Sequence, residues 1–264
     1  KLMQLPFNFL SQRTSEIDNA LREEVIIEKR NSIPEWDKIP LEGKGWFEAD
    51  IACVYIDMVN STKLQVVKQA TTAAKAYRLF VENMVKTLQD YECEFIDIKG
   101  DGGFGIFVGE NASIKALCAG VTFKTPCQEL LGICIKDFKI QTHIGIDEKH
   151  CLFKRIGLRG DWQNVVWAGK PVNMAAKLAT LASAQQIAIS ARVFEKINFP
   201  KFKKYAYLSC GCCGDAIGEP KPLWTEIDVS IKGYFDFDKA YTCESNWCKK
   251  HGNDYCQKLM KEAG

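Results

Sequence analysis

The 264-residue sequence has little of what marks a membrane, secreted or nucleic-acid-binding protein. No apolar run approaches the ~20 residues that cross a bilayer, and the opening KLMQLPFNFLSQRTSEID lacks the long apolar segment of a signal peptide. The expected location is therefore the cytoplasm. Net charge is only +2, from 35 basic and 33 acidic residues, and no basic run exceeds a few positions. Neither a nucleic acid nor an anionic membrane is called for as a partner. Histidine is scarce, with three in the whole chain, and His143 and His150 have no partner at ligand spacing, so both read as structural or surface residues. There are no internal repeats or low-complexity segments. Cysteine is the opposite case, with twelve. Several, such as Cys53, Cys118 and Cys134, lie inside apolar runs, where cysteine behaves as a small hydrophobe rather than a disulfide partner.

With 47% hydrophobic residues, the chain can bury a core without outside help. Three parts are expected. Residues 1–45 form an N-terminal helical arm and linker, because SEIDNALREEVIIEKRNS has a Ser cap and helical spacing before Pro34 and Pro40 interrupt it. Residues 46–230 form the main domain, and 231–264 a cysteine-bearing tail. Within the main domain, Ile51 to Asp57 reads as a buried strand ending in an acid. A helix capped by Asn60, Ser61 or Thr62 follows it and continues towards Tyr91. FKIQTHIGIDEKHCLFKRIG reads as a hairpin turning near Asp147 to His150. A strand to Ala168 then leads through Gly169 to a helix from about Pro171. The order of elements predicts an α/β (α+β) sandwich on a ferredoxin-like βαββαβ core.

The densest chemistry lies in FIDIKGDGGFGIF, from Phe95 to Phe107. Alternation along a strand puts Phe95, Asp97, Lys99 and Asp101 on one face. Gly100, Gly102 and Gly103 are expected to supply positive φ for a tight turn and to leave the backbone open to a ligand. Asp57 also ends a strand, with Tyr55 sharing its face. In a ferredoxin-like sheet the first strand lies beside this hairpin, so the two acids fall together. Paired carboxylates suit two magnesium ions that keep positions for water and phosphate. Backbone N–H groups at the start of the following helix, near Asn60 to Thr62, suit phosphate oxygens. Asn173 and Lys177, four apart, share a helix face and can reach a common ligand.

VYIDMVNST, KGDGGFGIF, THIGID and AGKPVNMAAKLATLASAQQIAIS, in this order and spacing, resemble the class III nucleotide cyclases, the family of adenylate and guanylate cyclases. The resemblance runs from about Phe47 to Ile197. It implies that Asp57 and Asp101, with the backbone carbonyl of Met58, hold two Mg²⁺ or Mn²⁺ ions per active site. It also implies that Asn60, Ser61 and Thr62 hold the β and γ phosphates of a nucleoside triphosphate. Asn173 matches the asparagine that positions the ribose. Lys177 falls where the family usually carries a transition-state arginine, and lysine supplies charge without the planar fork. Lys221 is the candidate for the phosphate-binding lysine that the family supplies late in the domain. The acids and the Asn173 pair would come from opposite subunits of a head-to-tail homodimer with two active sites.

Base recognition in this family falls at Asp97 and Val166, with Tyr55 on the active face to stack on or bond a smaller ring. A carboxylate accepts N–H from a base edge, so Asp97 does not support adenine. It suits a pyrimidine, and guanine is the alternative. The absence of a sensor domain, the helical arm and the cysteine-bearing tail are similar to the stand-alone bacterial pyrimidine cyclases of Pycsar anti-phage systems. That resemblance implies conversion of UTP or CTP to cUMP or cCMP, a signal read by a separate cyclic-nucleotide effector. A second alternative is an inactive cyclase-fold regulator that binds nucleotide. The tail adds Cys243, Cys248, His251 and Cys256, enough ligands for a structural Zn²⁺, with packed thiols as the alternative.

Overall fold

The computed structural model describes residues 9–41, 43–127, 131, 135, 138–157, 162–197, 223–243 and 249–263, with side chains omitted for 9–12 and 249–251. Its centre is a mixed sheet whose main path runs β3-β4-β2-β5-β7-β9-β8. The strands are β2 (Gly45–Met58), β3 (Phe95–Lys99), β4 (Gly102–Val108), β5 (Thr142–Gly157), β7 (Ile187–Ser190), β8 (Trp224–Asp228) and β9 (Lys239–Cys243). Two more lie off this path: β1 (Ile26–Lys29) pairs with β2 and β6 (Gln163–Gly169) with β5. β2 is antiparallel to both β4 and β5, and β3 is antiparallel to β4. The order β3-β4-β2-β5 is the ferredoxin-like arrangement expected of βαββαβ.

Helices cover both faces. Ala52, Val54, Ile56 and Met58 of β2 point to one side, against Ala76, Phe80, Met84 and Leu88 of α3 (Ala70–Asp90) and Leu117 and Val121 of α4 (Ala112–Pro126). Phe47, Ala49, Ile51 and Cys53 point to the other, towards Phe153, Trp167 and Ala175. Ala175 belongs to α5 (Lys170–Leu181), which lies directly on β5. A Cβ at Gly145 would fall 1.9 Å from the Ala175 carbonyl oxygen and 2.4 Å from the Ala179 nitrogen, so only glycine permits this approach. α6 (Ala191–Ile197) follows β7.

Several local expectations are corrected. The helix after Asp57 does not run unbroken to Tyr91: α2 (Ser61–Val67) stops and α3 restarts at Ala70. Asn60 precedes it at φ 58 and makes no side-chain cap. β5 does not turn near Asp147 to His150 but continues for 16 residues. The charged run that mimics a turn is accommodated because β2 pairs with it from Phe47↔Phe153 to Met58↔Thr142, and because buried Asp147 meets Arg192 at 2.6 Å. The segment after residue 230 also joins the body. β9 lies between β7 and β8, and on α7 (Lys249–Ala263) the Cys256 thiol donates to the Cys118 carbonyl of α4 at 3.8 Å.

The described cysteines are free thiols, and all but half-buried Cys93 are buried. Cys243 and Cys256 belong to the apolar core. Cys248 and the His251 side chain lie outside the described residues, and among the described residues no cluster of three or more metal-ligating side chains occurs. No helix among the described residues is long and apolar enough to cross a membrane.

Candidate active site

Strand pairing brings the two acids together. Asp57 is the penultimate residue of β2, and Ile56 pairs with Gly103 of β4. The next step along that register sets Asp57 beside Gly102, with Asp101 immediately before it. Lys99 pairs with Gly102, leaving Gly100 and Asp101 as a two-residue turn. Only Gly100 of its three glycines has positive φ, at 62°, which is the pattern of a type II′ hairpin. Gly102 is glycine for a different reason than expected. A Cβ there would lie 2.3 Å from the Ile56 carbonyl oxygen and 2.8 Å from Asp57 Oδ1. A side chain would occupy the space beside the Asp57 carboxylate.

Tyr55 is half-buried on the same face. Its hydroxyl pKa is raised first by burial and then by the charges of Asp57 and Asp101, so near neutral pH it remains a donor. Met58 ends β2 with its side chain buried. Asn60 and Thr62 are exposed and Ser61 is half-buried at the start of α2.

His143 was missed by sequence reasoning. It pairs with Asp57 across β2 and β5, and its Nε2 lies 3.2 Å from Asp57 Oδ2. Thr142 Oγ1 donates to the Asp57 carbonyl at 3.0 Å. The partner at ligand spacing that the sequence did not offer is supplied across the sheet. His150 is exposed, as expected.

Asp97 has 13% of its side chain exposed and pairs with Lys99 at 2.8 Å. Phe95, on the same face of β3, packs 5.1 Å from Trp167 of β6. Val166, next to Trp167, points the other way and is 40% exposed. On α5, Asn173 is exposed, with its Nδ2 donating to the Gly169 carbonyl at 3.4 Å. Lys177, one turn on, donates from Nζ to the Tyr234 carbonyl at 3.1 Å. Lys221 lies outside the described residues.

The chain matches a known family. Residues 47–209 match the family described as the adenylate and guanylate cyclase catalytic domain. The chain belongs to the class III nucleotide cyclases. A uridylate cyclase from Propioniciclava tarda is 36% identical to it over 85% of this chain and 70% of that protein. A uridylate cyclase from Micromonospora echinofusca is 28% identical over 84% of this chain and 73% of that protein. Among solved structures, the adenylyl cyclase CyaB from P. aeruginosa shares the fold with a TM-score of 0.60 at 15% identity, covering 76% of this chain and 97% of that one.

Proposed function

We propose that this cyclase converts UTP into 3′,5′-cyclic UMP and pyrophosphate. The observation that carries the reading is the pair Asp57 and Asp101, brought together by the β2–β4 register with the space beside Asp57 left open by Gly102. Hard carboxylate oxygens of this kind fit Mg²⁺ or Mn²⁺. Among the described residues no cluster of three or more metal-ligating side chains occurs, and the two acids leave positions for the Met58 carbonyl, water and phosphate oxygens. When bound, two such ions supply positive charge that favours ionisation of the ribose 3′ hydroxyl and departure of pyrophosphate.

The chain's own residues do the rest. His143 and Thr142 fix the orientation of Asp57. Asn173 positions the ribose so that its 3′ oxygen approaches the α-phosphorus in line with the leaving group. The Lys177 ammonium balances charge on the α-phosphoryl oxygens, and Asn60 to Thr62 hold the β and γ phosphates. Asp97 accepts the uracil N3–H, and the Tyr55 ring packs on a base too small to fill a purine site. The name uridylate cyclase carried by two relatives is what supports uracil over cytosine in this reading.

The site is further proposed to be shared between two copies of the chain, with Asp57 and Asp101 from one and Asn173 and Lys177 from the other. The product is read as an anti-phage signal by a separate effector.

The deciding experiment incubates the purified chain with ATP, GTP, CTP or UTP and Mn²⁺ and identifies products by mass spectrometry. Cyclic UMP should dominate, and Asp57→Ala or Asp101→Asn should abolish it without changing the circular dichroism spectrum. Dominant cyclic GMP would overturn the base assignment, and unchanged product from the two variants would sink the metal assignment. For the signalling role, phage challenge of cells carrying the cyclase and its effector should show protection that Asp57→Ala removes.

A further inference from the structure

The loop joining β8 to β9, residues 229–238, folds over α5. It is closed at its base by the Val229 N–H donating to the Asp238 carbonyl at 2.8 Å. Phe235 and Phe237 pack on the apolar cluster of Leu178, Ala182 and Ala188. Tyr234 at its crest is the residue that Lys177 meets, by a hydrogen bond to the carbonyl and by its ammonium lying 4.8 Å from the ring centroid.

The loop is fastened at one point. Asp236 Oδ1 accepts from both Arg192 terminal nitrogens at 3.1 Å. Its Oδ2 meets Lys149 at 2.9 Å and Lys170 at 3.1 Å. Arg192 is itself held by Asp147, at 2.6 Å from one nitrogen and 3.2 Å from another. That aspartate is fully buried on β5. A chain of contacts therefore runs from the central sheet through Arg192 and Asp236 to Tyr234 and Lys177.

We infer that Asp236 is a positioning residue for the reaction, acting through Tyr234 to hold the Lys177 ammonium where the α-phosphate needs it. An arginine fork is rigid and meets a phosphate through two parallel bonds, whereas a lysine head ends a flexible four-carbon stem. Fixing that head before substrate arrives removes the ordering cost otherwise paid in the transition state. The ammonium has three N–H donors and the Tyr234 carbonyl takes one, so two remain for phosphoryl oxygens. The inference rests on the proposed role of Lys177.

The test is a double-mutant cycle with UTP and Mn²⁺, reading kcat and KM below the melting temperature of every variant. Asp236→Asn should lower kcat about tenfold with little change in KM, as expected when orientation rather than binding is lost. In a Lys177→Ala background the same substitution should cause no further loss of kcat. Tyr234→Leu, at a half-exposed side chain, removes the ring beneath the ammonium but keeps the carbonyl, so it should give a smaller kcat loss with the same dependence on Lys177. An equal loss with and without Lys177 would show a purely structural tether, and an unchanged kcat in Asp236→Asn and Tyr234→Leu would also overturn the inference. If Lys177→Ala alone keeps full kcat, the α-phosphate role of Lys177 fails instead.

Discussion

Asp57 is met from two strands: Gly102 of β4 leaves it room, while on β5 His143 approaches one carboxylate oxygen and Thr142 Oγ1 donates to its carbonyl. Gly102→Ala should cost both activity and stability, because its Cβ also falls 2.3 Å from the Ile56 carbonyl oxygen. A methyl group 2.8 Å from Asp57 Oδ1 must displace that carboxylate, so isothermal titration should show Mn²⁺ affinity weakened about tenfold or more. His143→Ala leaves the acid in place but frees its orientation. Weaker Mn²⁺ binding with a preserved fold, and partial recovery in His143→Gln, should separate orientation from packing. Asp101 and the tight turn could be read from FIDIKGDGGFGIF, and Asp57 from the end of the Ile51 to Asp57 strand, because each signal is local. His143 could not, since its partner arrives from 86 residues away. Likewise, nothing local joins Lys177 to Tyr234, 57 residues later.

Elements show the same division between local and distant causes. β4, α4, β7 and the strand–Gly–helix entry to α5 follow from apolar runs and breakers within a few residues of each other. β5 does not, because DEKH at 147–150 has turn composition, yet the run pairs with β2 and its side chains find distant partners such as Arg192 and Asp236. The break between α2 and α3 also lacks the proline or glycine that would announce it. Gly145 marks where α5 meets β5, and Gly145→Ala should destabilise the protein by about 2–3 kcal/mol, through overpacking against backbone that cannot rotate away. Urea unfolding would measure it.

The β8–β9 loop makes a pH prediction. Burial pushes the Asp236 carboxyl up, but Arg192, Lys149 and Lys170 outweigh it and hold the group well below the usual carboxylate range. A depressed folded pKa gives stability that is complete above the ordinary aspartate value of 3.8 and is lost as pH falls through the folded one. Thermal melts should therefore show wild type above Asp236→Asn at neutral pH. The gap should narrow as the solution is acidified below that ordinary value.

At the scale of the whole molecule, the proposed sharing of the site between two copies predicts complementation. Asp57→Ala and Asn173→Ala should each be inactive alone. Mixed under conditions that allow subunit exchange, they should recover about a quarter of wild-type activity, because half the dimers are mixed and each holds one intact site. A site built within one chain would recover none.

The sulfur-rich core carries a practical consequence. Burial raises the Cys53 thiol far above its ordinary value and takes Cys93 and Cys151 up to about 12. Thiolate, the species that alkylating reagents and peroxide attack, is therefore scarce at these positions while the fold is closed. Their modification becomes a clock for opening. The pace at which an alkylating reagent marks Cys53 records how often the central sheet comes apart, and the delay that nucleotide adds to that pace records how strongly substrate closes the protein around itself.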